Sequence, residues 1–312
     1  MLPLLESRSC TNIAAPTVLS YTTASISLLL SLVTIPGNFL VCLAVYINPY
    51  KNLRTPFNCV VVNLAIADLI VGCVTEPIST YVHVKEASGI PLFKLDVKSI
   101  HLSYFISCMA SVLSISLLAL ERFLAISFSF RYRLYFKVRR FVAVSVAVWL
   151  VAIGLSSVYL FTNYLFYTFV FINIAVVWTL GVGTFCYAKI LGTLRNRIIA
   201  NRTRSISTLN TEPVTVRGID FAASNMQNVL VTKTYMIILS MFLACYVPAL
   251  SIIYTMNWCH SCSCISIHYM RDLQFLIVIF NSAVNPFVYA WRFVSFRRSI
   301  LKILQFRKFR RI

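Results

Sequence analysis

Seven apolar stretches run along the chain with polar segments between them, near residues 19–47, 56–83, 97–127, 140–162, 166–192, 230–256 and 269–292. Each reaches the roughly 20 residues that a helix needs to cross a bilayer core. Inside hydrocarbon every backbone N–H and C=O has to be satisfied within the segment, so the stretches predict helices. The connections are short except around 195–228, which is polar and basic and contains Pro213 and Gly218; it is expected to be a mobile cytoplasmic loop. After the seventh stretch, Phe296, Ile300, Leu301, Ile303, Leu304 and Phe306 alternate with Arg297, Arg298, Lys302, Arg307 and Lys308, the spacing of an amphipathic helix lying on a membrane surface. The predicted fold class is therefore all-α: a seven-transmembrane helix bundle with a short amphipathic eighth helix on the cytoplasmic membrane surface. The expected organisation is an extracellular N-terminus (1–18), the membrane domain (19–292) and a cytoplasmic helix and tail (293–312), with no internal repeat and no separate soluble domain.

Composition agrees with a bilayer as solvent: 59% of residues are hydrophobic and 12% charged, against about a quarter charged in ordinary soluble domains. The net charge of +19 would fit a nucleic-acid binder until its placement is considered. One set of loops and the C-terminal tail carry 23 of the 28 basic residues, and the opposite side has only Arg8, Lys85, Lys94, Lys98 and Arg271. Basic loops stay cytoplasmic, which places the N-terminus outside. The charge thus reads as topology and as attraction to an anionic inner leaflet. Met1 to Thr17 holds Pro3, Glu6, Arg8 and Pro16 without a clean apolar core, so no cleavable signal peptide is expected and the first span serves as its own targeting signal.

Seven spans alone do not define a function; the polar residues inside them discriminate. An intramembrane ionisable group is costly, so Asp68, at the end of L-A-I-A-D (Leu64 to Asp68), needs partners or a bound ion. The first span carries G-N-F-L-V (Gly37 to Val41) and the third ends in E-R-F (Glu121, Arg122, Phe123). Trp149 lies in the fourth, F-L-A-C-Y-V-P (Phe242 to Pro248) in the sixth, and N-S-A-V-N-P-F-V-Y (Asn281 to Tyr289) in the seventh. Pro248 and Pro286 each interrupt a helical hydrogen bond and predict a kink.

In this order and on these spans, the motifs strongly resemble those of the rhodopsin-like (class A) G-protein-coupled receptors, over about residues 19 to 310. The resemblance implies a plasma-membrane receptor that binds an extracellular ligand and activates heterotrimeric G proteins by outward movement of the sixth helix, with arrestin as a further partner. It implies a sodium-and-water pocket of Asp68, Ser111, Asn281 and Asn285, sodium acting as an allosteric modulator with no other cofactor. It also implies switch roles for Glu121, Arg122, Tyr187, Phe242, Tyr246, Pro248, Pro286 and Tyr289. Plainer roles stand beside these: Asp68 as a hydrogen-bonded structural group, Arg122 as an interfacial anchor.

The chain departs from the family pattern in several places. Position 97 is Val97 and Thr162 to Phe169 contains no cysteine, so the usual bridge to the second extracellular loop is absent. That loop is almost missing, Thr179 stands near the usual proline of span five, Tyr246 replaces the span-six tryptophan, and Asn228 replaces the acid that often restrains the arginine. Without that restraint, partial activity in the absence of ligand is expected. The layout is nearest to the melanocortin, lysophospholipid, cannabinoid and adenosine branch, melanocortin receptors above all. However, of the calcium-binding acids of that subfamily only Glu76 and Asp96 have counterparts nearby, with Ile78 and His101 where acids would be expected.

Cys42, Cys59, Cys73, Cys108, Cys186 and Cys245 lie in spans and are expected to be buried thiols. Cys10, Cys259, Cys262 and Cys264 face the oxidising side and allow three pairings. A Cys262 to Cys264 bond is sterically awkward, which favours Cys10 tethering the N-terminus to the third loop and a second bridge within that loop. The rival is a zinc site among Cys259, His260, Cys262, Cys264 and His268.

Side chains expected to line the outer cavity are His101, Tyr104, Phe105, Cys108, Tyr246, Ile253 and Phe275. Tyr104 stands where amine receptors keep an aspartate, Ile279 where opsins keep the retinal lysine, and Ile253 where adenosine receptors keep an asparagine. A peptide or lipid is thereby favoured over an amine, although these aromatics could equally pack the bundle. A transporter or channel is the alternative function; it would show paired repeats or several intramembrane charges, and the chain has neither. No paired-carboxylate, H-E-x-x-H or G-x-S-x-G arrangement supports an enzyme.

Overall fold

A computed structural model describes residues 14–128, 132, 138–162, 164–207, 216–259 and 261–309, with backbone alone described for 138, 165, 194, 196–207, 216–232 and 306–309. Helix α1 spans Thr17–Ile47 and ends where Asn48 turns into the left-handed region (φ 46°), its side-chain oxygen accepting the Leu53 N–H at 2.9 Å. Helix α2, Pro56–Ile70, starts at Thr55, whose hydroxyl accepts the Asn58 N–H at 3.2 Å, with proline in the first turn where no N–H is needed. A π turn, Val71–Thr75, carries the same span into α3, Glu76–Ala87.

Helix α4 is Lys94–Ser127 and α5 is Val138–Ser157, followed by a 3-10 turn at Val158–Phe161. Helix α6 is Tyr164–Ser207, α7 is Val216–Trp258, α8 is Cys264–Arg292 and α9 is Val294–Phe309. Seven of these segments are long and apolar enough to cross a membrane, counting α2 with α3, and no strand occurs among the described residues. This is the predicted all-α seven-span bundle, and the chain is a multi-pass membrane protein.

The spans begin or end a few residues beyond the predicted limits: the first at Thr17, the second at Ala87 and the seventh from Cys264. One expectation fails. Most of 195–228 is not loop: α6 continues to Ser207 and α7 starts at Val216, leaving only 208–215 outside the described residues. Leaving the bilayer does not stop a helix whose hydrogen bonds are internal, and 195–207 contains no proline or glycine to break it.

Helix α4 is the most enclosed of the spans and touches α2, α5, α6 and α7; α5 is the most peripheral. Phe105, Phe242, Tyr235, Tyr289 and Phe296 are the largest fully buried side chains. Leu32, Trp178, Phe185, Phe287 and Trp291 point outward from the bundle, as lipid-facing positions do. Prolines sit inside α1 (Pro36), α7 (Pro248) and α8 (Pro286). Helix α9 docks through Phe296, which packs beside Tyr289 and Phe293 at ring separations of 6.3 and 6.0 Å.

Candidate functional site

Three polar centres lie at successive depths of the bundle. At mid-depth, Asp68 on α2 is fully buried; its Oδ2 accepts the Asn285 amide at 2.8 Å, and its Oδ1 has no partner. Ser282, next to Asn281 on α8, also faces Asp68. Of the predicted set, Asn285 bonds Asp68 directly, and Ser111 and Asn281 are buried without a direct hydrogen bond to it among the described residues. Asn38 of α1 closes the cluster from the other side, donating to the carbonyls of Thr34 (3.0 Å) and Ser282 (3.1 Å). Nearby, Asn63 donates to Ser114 (2.7 Å) and accepts the Trp149 indole N–H (3.0 Å), tying α2, α4 and α5 together.

At the end of α4, Arg122 donates through Nε and Nη2 to the fully buried carboxylate of Glu121. Its guanidinium also lies 4.6 Å over the Phe57 ring, a cation–π contact. Tyr132 donates its hydroxyl to the same carboxylate, a partner not anticipated from sequence; burial, with the Glu121 charge beside it, pushes this phenol well above its ordinary range. The side chain of Asn228 lies outside the described ones. Phe242 and Tyr246 stack at 3.9 Å, just before Pro248 in the same helix. The Tyr289 hydroxyl is buried without a partner, while Tyr187 is half-buried.

Toward the other end, the predicted cavity residues converge on one aromatic cluster. His101 stacks on Tyr164 at 4.1 Å and shares a 2.7 Å hydrogen bond with the Tyr159 hydroxyl. Phe105 packs on Tyr159 and Tyr167 at 5.2 and 4.5 Å. Tyr104 accepts the Gln274 amide at 2.8 Å and lies 5.4 Å from Phe275. Cys108 is buried beside Tyr104 and Tyr246, and Ile253 is fully buried. Tyr159, Tyr164, Tyr167 and Gln274 were not singled out from the sequence; the closeness of the first three to the vestigial second loop was the available signal.

A charged network at the same end was also missed. Asp272 accepts from Arg271 Nε (2.8 Å) and Thr23 (3.0 Å) and lies 3.6 Å from His83 Nε2. Arg271 reaches Glu86 at 3.6 Å, Ser20 donates to Glu86 at 2.9 Å, and Lys85 pairs with Asp96 at 3.0 Å. These contacts join α1, α3, α4 and α8.

Cys259 and Cys262 are disulfide-bonded, the expected bridge within the third loop. Cys264 is disulfide-bonded too, to a partner outside the described residues, where Cys10 and His260 also lie. With these thiols oxidised the zinc alternative loses its thiolates, and among the described residues no group of three His, Cys, Asp or Glu side chains could hold a metal ion.

A bundle of seven apolar helices around a buried carboxylate, with an arginine–glutamate pair at one end, defines a class of helical membrane receptors. The chain belongs to the family described as 7 transmembrane receptor (rhodopsin family), whose profile matches residues 37–164 and 159–289. It is 26% identical to "Adenosine receptor A2a" of Equus caballus over 321 residues, covering 93% of this chain and 74% of that protein. It is 25% identical to the Homo sapiens A2a receptor over 90% of this chain and 71% of that one. "Histamine H2 receptor" of Cavia porcellus is 33% identical over 141 residues, but the match spans 45% of this chain and 38% of that receptor. The protein is thus a member of a receptor family and not an enzyme.

Proposed function

We propose that this protein is a plasma-membrane receptor with its N-terminus outside, which binds an extracellular ligand and activates heterotrimeric G proteins by outward movement of the cytoplasmic half of α7. The observation that carries the reading is the closed pair at the end of α4. Arg122 is 7% exposed, with Glu121, Tyr132 and Phe57 around it. A guanidinium held this way is retained in the resting packing and, once released, presents a planar fork of donors to a partner's carbonyls. The Pro248 kink gives α7 a place to bend, and a ligand at the aromatic cluster biases the two packings by its differential affinity. The 23-to-5 distribution of basic residues supports the orientation.

Sodium at Asp68 belongs to the same proposal: a buried carboxylate oxygen without a donor suits a hard cation, which would favour the resting packing. For the ligand, a peptide or lipid is favoured over a biogenic amine, since Tyr104 puts a neutral phenol, already bonded to Gln274, where an amine needs a counter-charge. A nucleoside is the second reading, favoured by the similarity to A2a receptors across most of the chain. Both are tested with purified receptor and a panel of G-protein alpha subunits, scoring catalysed nucleotide exchange against peptides, lipids, adenosine and histamine. Exchange with none of the subunits under any condition would overturn the receptor mechanism, and a saturable histamine response would overturn the ligand assignment.

A further inference from the structure

The buried face of α1 is polar. Ser20, Thr23, Ser27, Ser31, Thr34 and Asn38 recur at helical spacing, and all are buried. Each meets a polar partner across the seam: Ser27 shares a 3.1 Å bond with Ser79, and Ser31 donates at 2.8 Å to the Gly72 carbonyl, which lies in the π turn. Such turns are frequent at functional sites because they displace carbonyls from the α ladder.

Immediately after the π turn sits Glu76, fully buried. Its Oε1 accepts one long bond from Thr34 at 3.4 Å, and its Oε2 has no partner. It makes no ion pair with any cationic side chain among the described residues. A carboxylate in this condition is strongly unfavourable unless something positive neutralises it. The neighbouring unpartnered atoms have the same character: Asn38 Oδ1 and Asp68 Oδ1 are acceptors also. Beside Glu76 the seam thus offers one hydroxyl donor, Thr34, and no ion-paired cation among the described residues; His83 and Arg271 lie further along it, on Asp272 and Glu86.

We propose that Glu76 is a second cation-binding station, holding one sodium ion between α1 and the π turn, about 12 Å of helix rise beyond Asp68. One carboxylate with hydroxyl and carbonyl oxygens balances a monovalent ion and leaves a divalent one undercompensated. A proton is the competing occupant: on Oε2 it would have no acceptor, and on Oε1 only the Thr34 hydroxyl at 3.4 Å. A polar path links the two stations: Thr34 bonds Glu76, Asn38 bonds the Thr34 carbonyl and the Ser282 carbonyl, and Ser282 faces Asp68. The serine and threonine rungs beyond Thr34 extend it to the Glu86–Arg271–Asp272 network. The station is in series with the Asp68 site but does not depend on it.

The test uses the full chain in phosphatidylcholine nanodiscs, with sodium chloride replaced by choline chloride at constant ionic strength. The unfolding midpoint is followed in wild type, Asp68→Asn, Glu76→Gln and the double variant. Asp68→Asn is expected to keep part of the sodium-dependent rise and the double variant to lose all of it. Loss of the whole rise in Asp68→Asn alone overturns the Glu76 station and leaves the Asp68 site standing; no rise in wild type overturns both. A Glu76→Gln effect that follows pH and not sodium assigns a proton instead and overturns the proposal. Should Glu76→Gln fail to fold, the sodium-23 line width in Asp68→Asn protein decides without altering Glu76: excess broadening supports the station, and a line width equal to that of empty nanodiscs overturns it.

Discussion

Gly37 of α1 faces Pro286 of α8 so closely that a Cβ on the glycine would stand 2.9 Å from the proline Cγ and 3.1 Å from its Cβ. Hydrogen at this position lets the first span nest against the proline ring of the seventh. Gly37→Ala is expected to cost about 1–3 kcal/mol through overpacking and to lower the unfolding midpoint by several degrees. Gly154, with nothing within 4 Å of its would-be Cβ, is the control; Gly154→Ala should leave the midpoint unchanged or raise it, since alanine favours a helix interior over glycine. Equal midpoints for the two variants would refute the close-packing account.

The Asn63 amide serves two neighbours at once, so its loss should exceed that of either partner. Asn63→Ala leaves the Trp149 N–H without its acceptor, and a buried group left unpaired costs about 1–3 kcal/mol; it also removes the donor to the Ser114 hydroxyl, which keeps its own bond to the Ala110 carbonyl. Trp149→Phe removes one of those bonds and should be milder. Thermal unfolding of both variants decides; a larger loss in Trp149→Phe would contradict the two-bond role.

Tyr132 gives the arginine pair a third member, and its removal should loosen the resting state. A hydrogen bond to a charged group is worth roughly 1.5 kcal/mol or more, and 1.4 kcal/mol is about tenfold in an equilibrium. Tyr132→Phe is therefore expected to raise ligand-free nucleotide exchange by up to about tenfold, and Glu121→Gln by more. Basal exchange no higher than wild type in both would show that the pair does not hold the resting packing.

Sodium should lower ligand-free exchange in wild type and have a much smaller effect in Asp68→Asn, since the amide carries no charge to neutralise. The comparison is made against choline at matched ionic strength. An undiminished sodium response in the variant would remove Asp68 from the cation's binding site.

The bundle was legible because a bilayer demands long apolar runs, and each run was long enough to stand out against its neighbours. Asp68 was legible because a costly carboxylate inside an apolar run needs a reason to be there, and Asn285, Trp149 and the Glu121–Arg122 pair because they belong to the motifs that carry the family resemblance. What the sequence did not yield has physical causes. The His101–Tyr164 stack and the Gln274–Tyr104 bond join side chains far apart in the chain, whose types alone are ordinary packing material. Tyr132 lies between spans and acquires its role by reaching back to α4. Glu76 was weighed only against an acidic cluster, and the π turn that sets its surroundings has no residue signature in V-G-C-V-T. The polar stripe of α1 went unread because its serines and threonines are scattered among leucines, and only the fold shows that they share the buried side.

That stripe bears on how the protein is made. Thr23 bonds Asp272 across 249 residues and Asn38 bonds the Ser282 carbonyl across 244, so two partners of the first helix are among the last segments to leave the ribosome, whereas Ser20, Ser27, Ser31 and Thr34 meet theirs on the second span. Until the seventh span arrives, Thr23 and the Asn38 amide lack these partners, while the rest of the row is already met by the second span. The contacts of α1 are therefore completed in two stages, with the second span first and the seventh last.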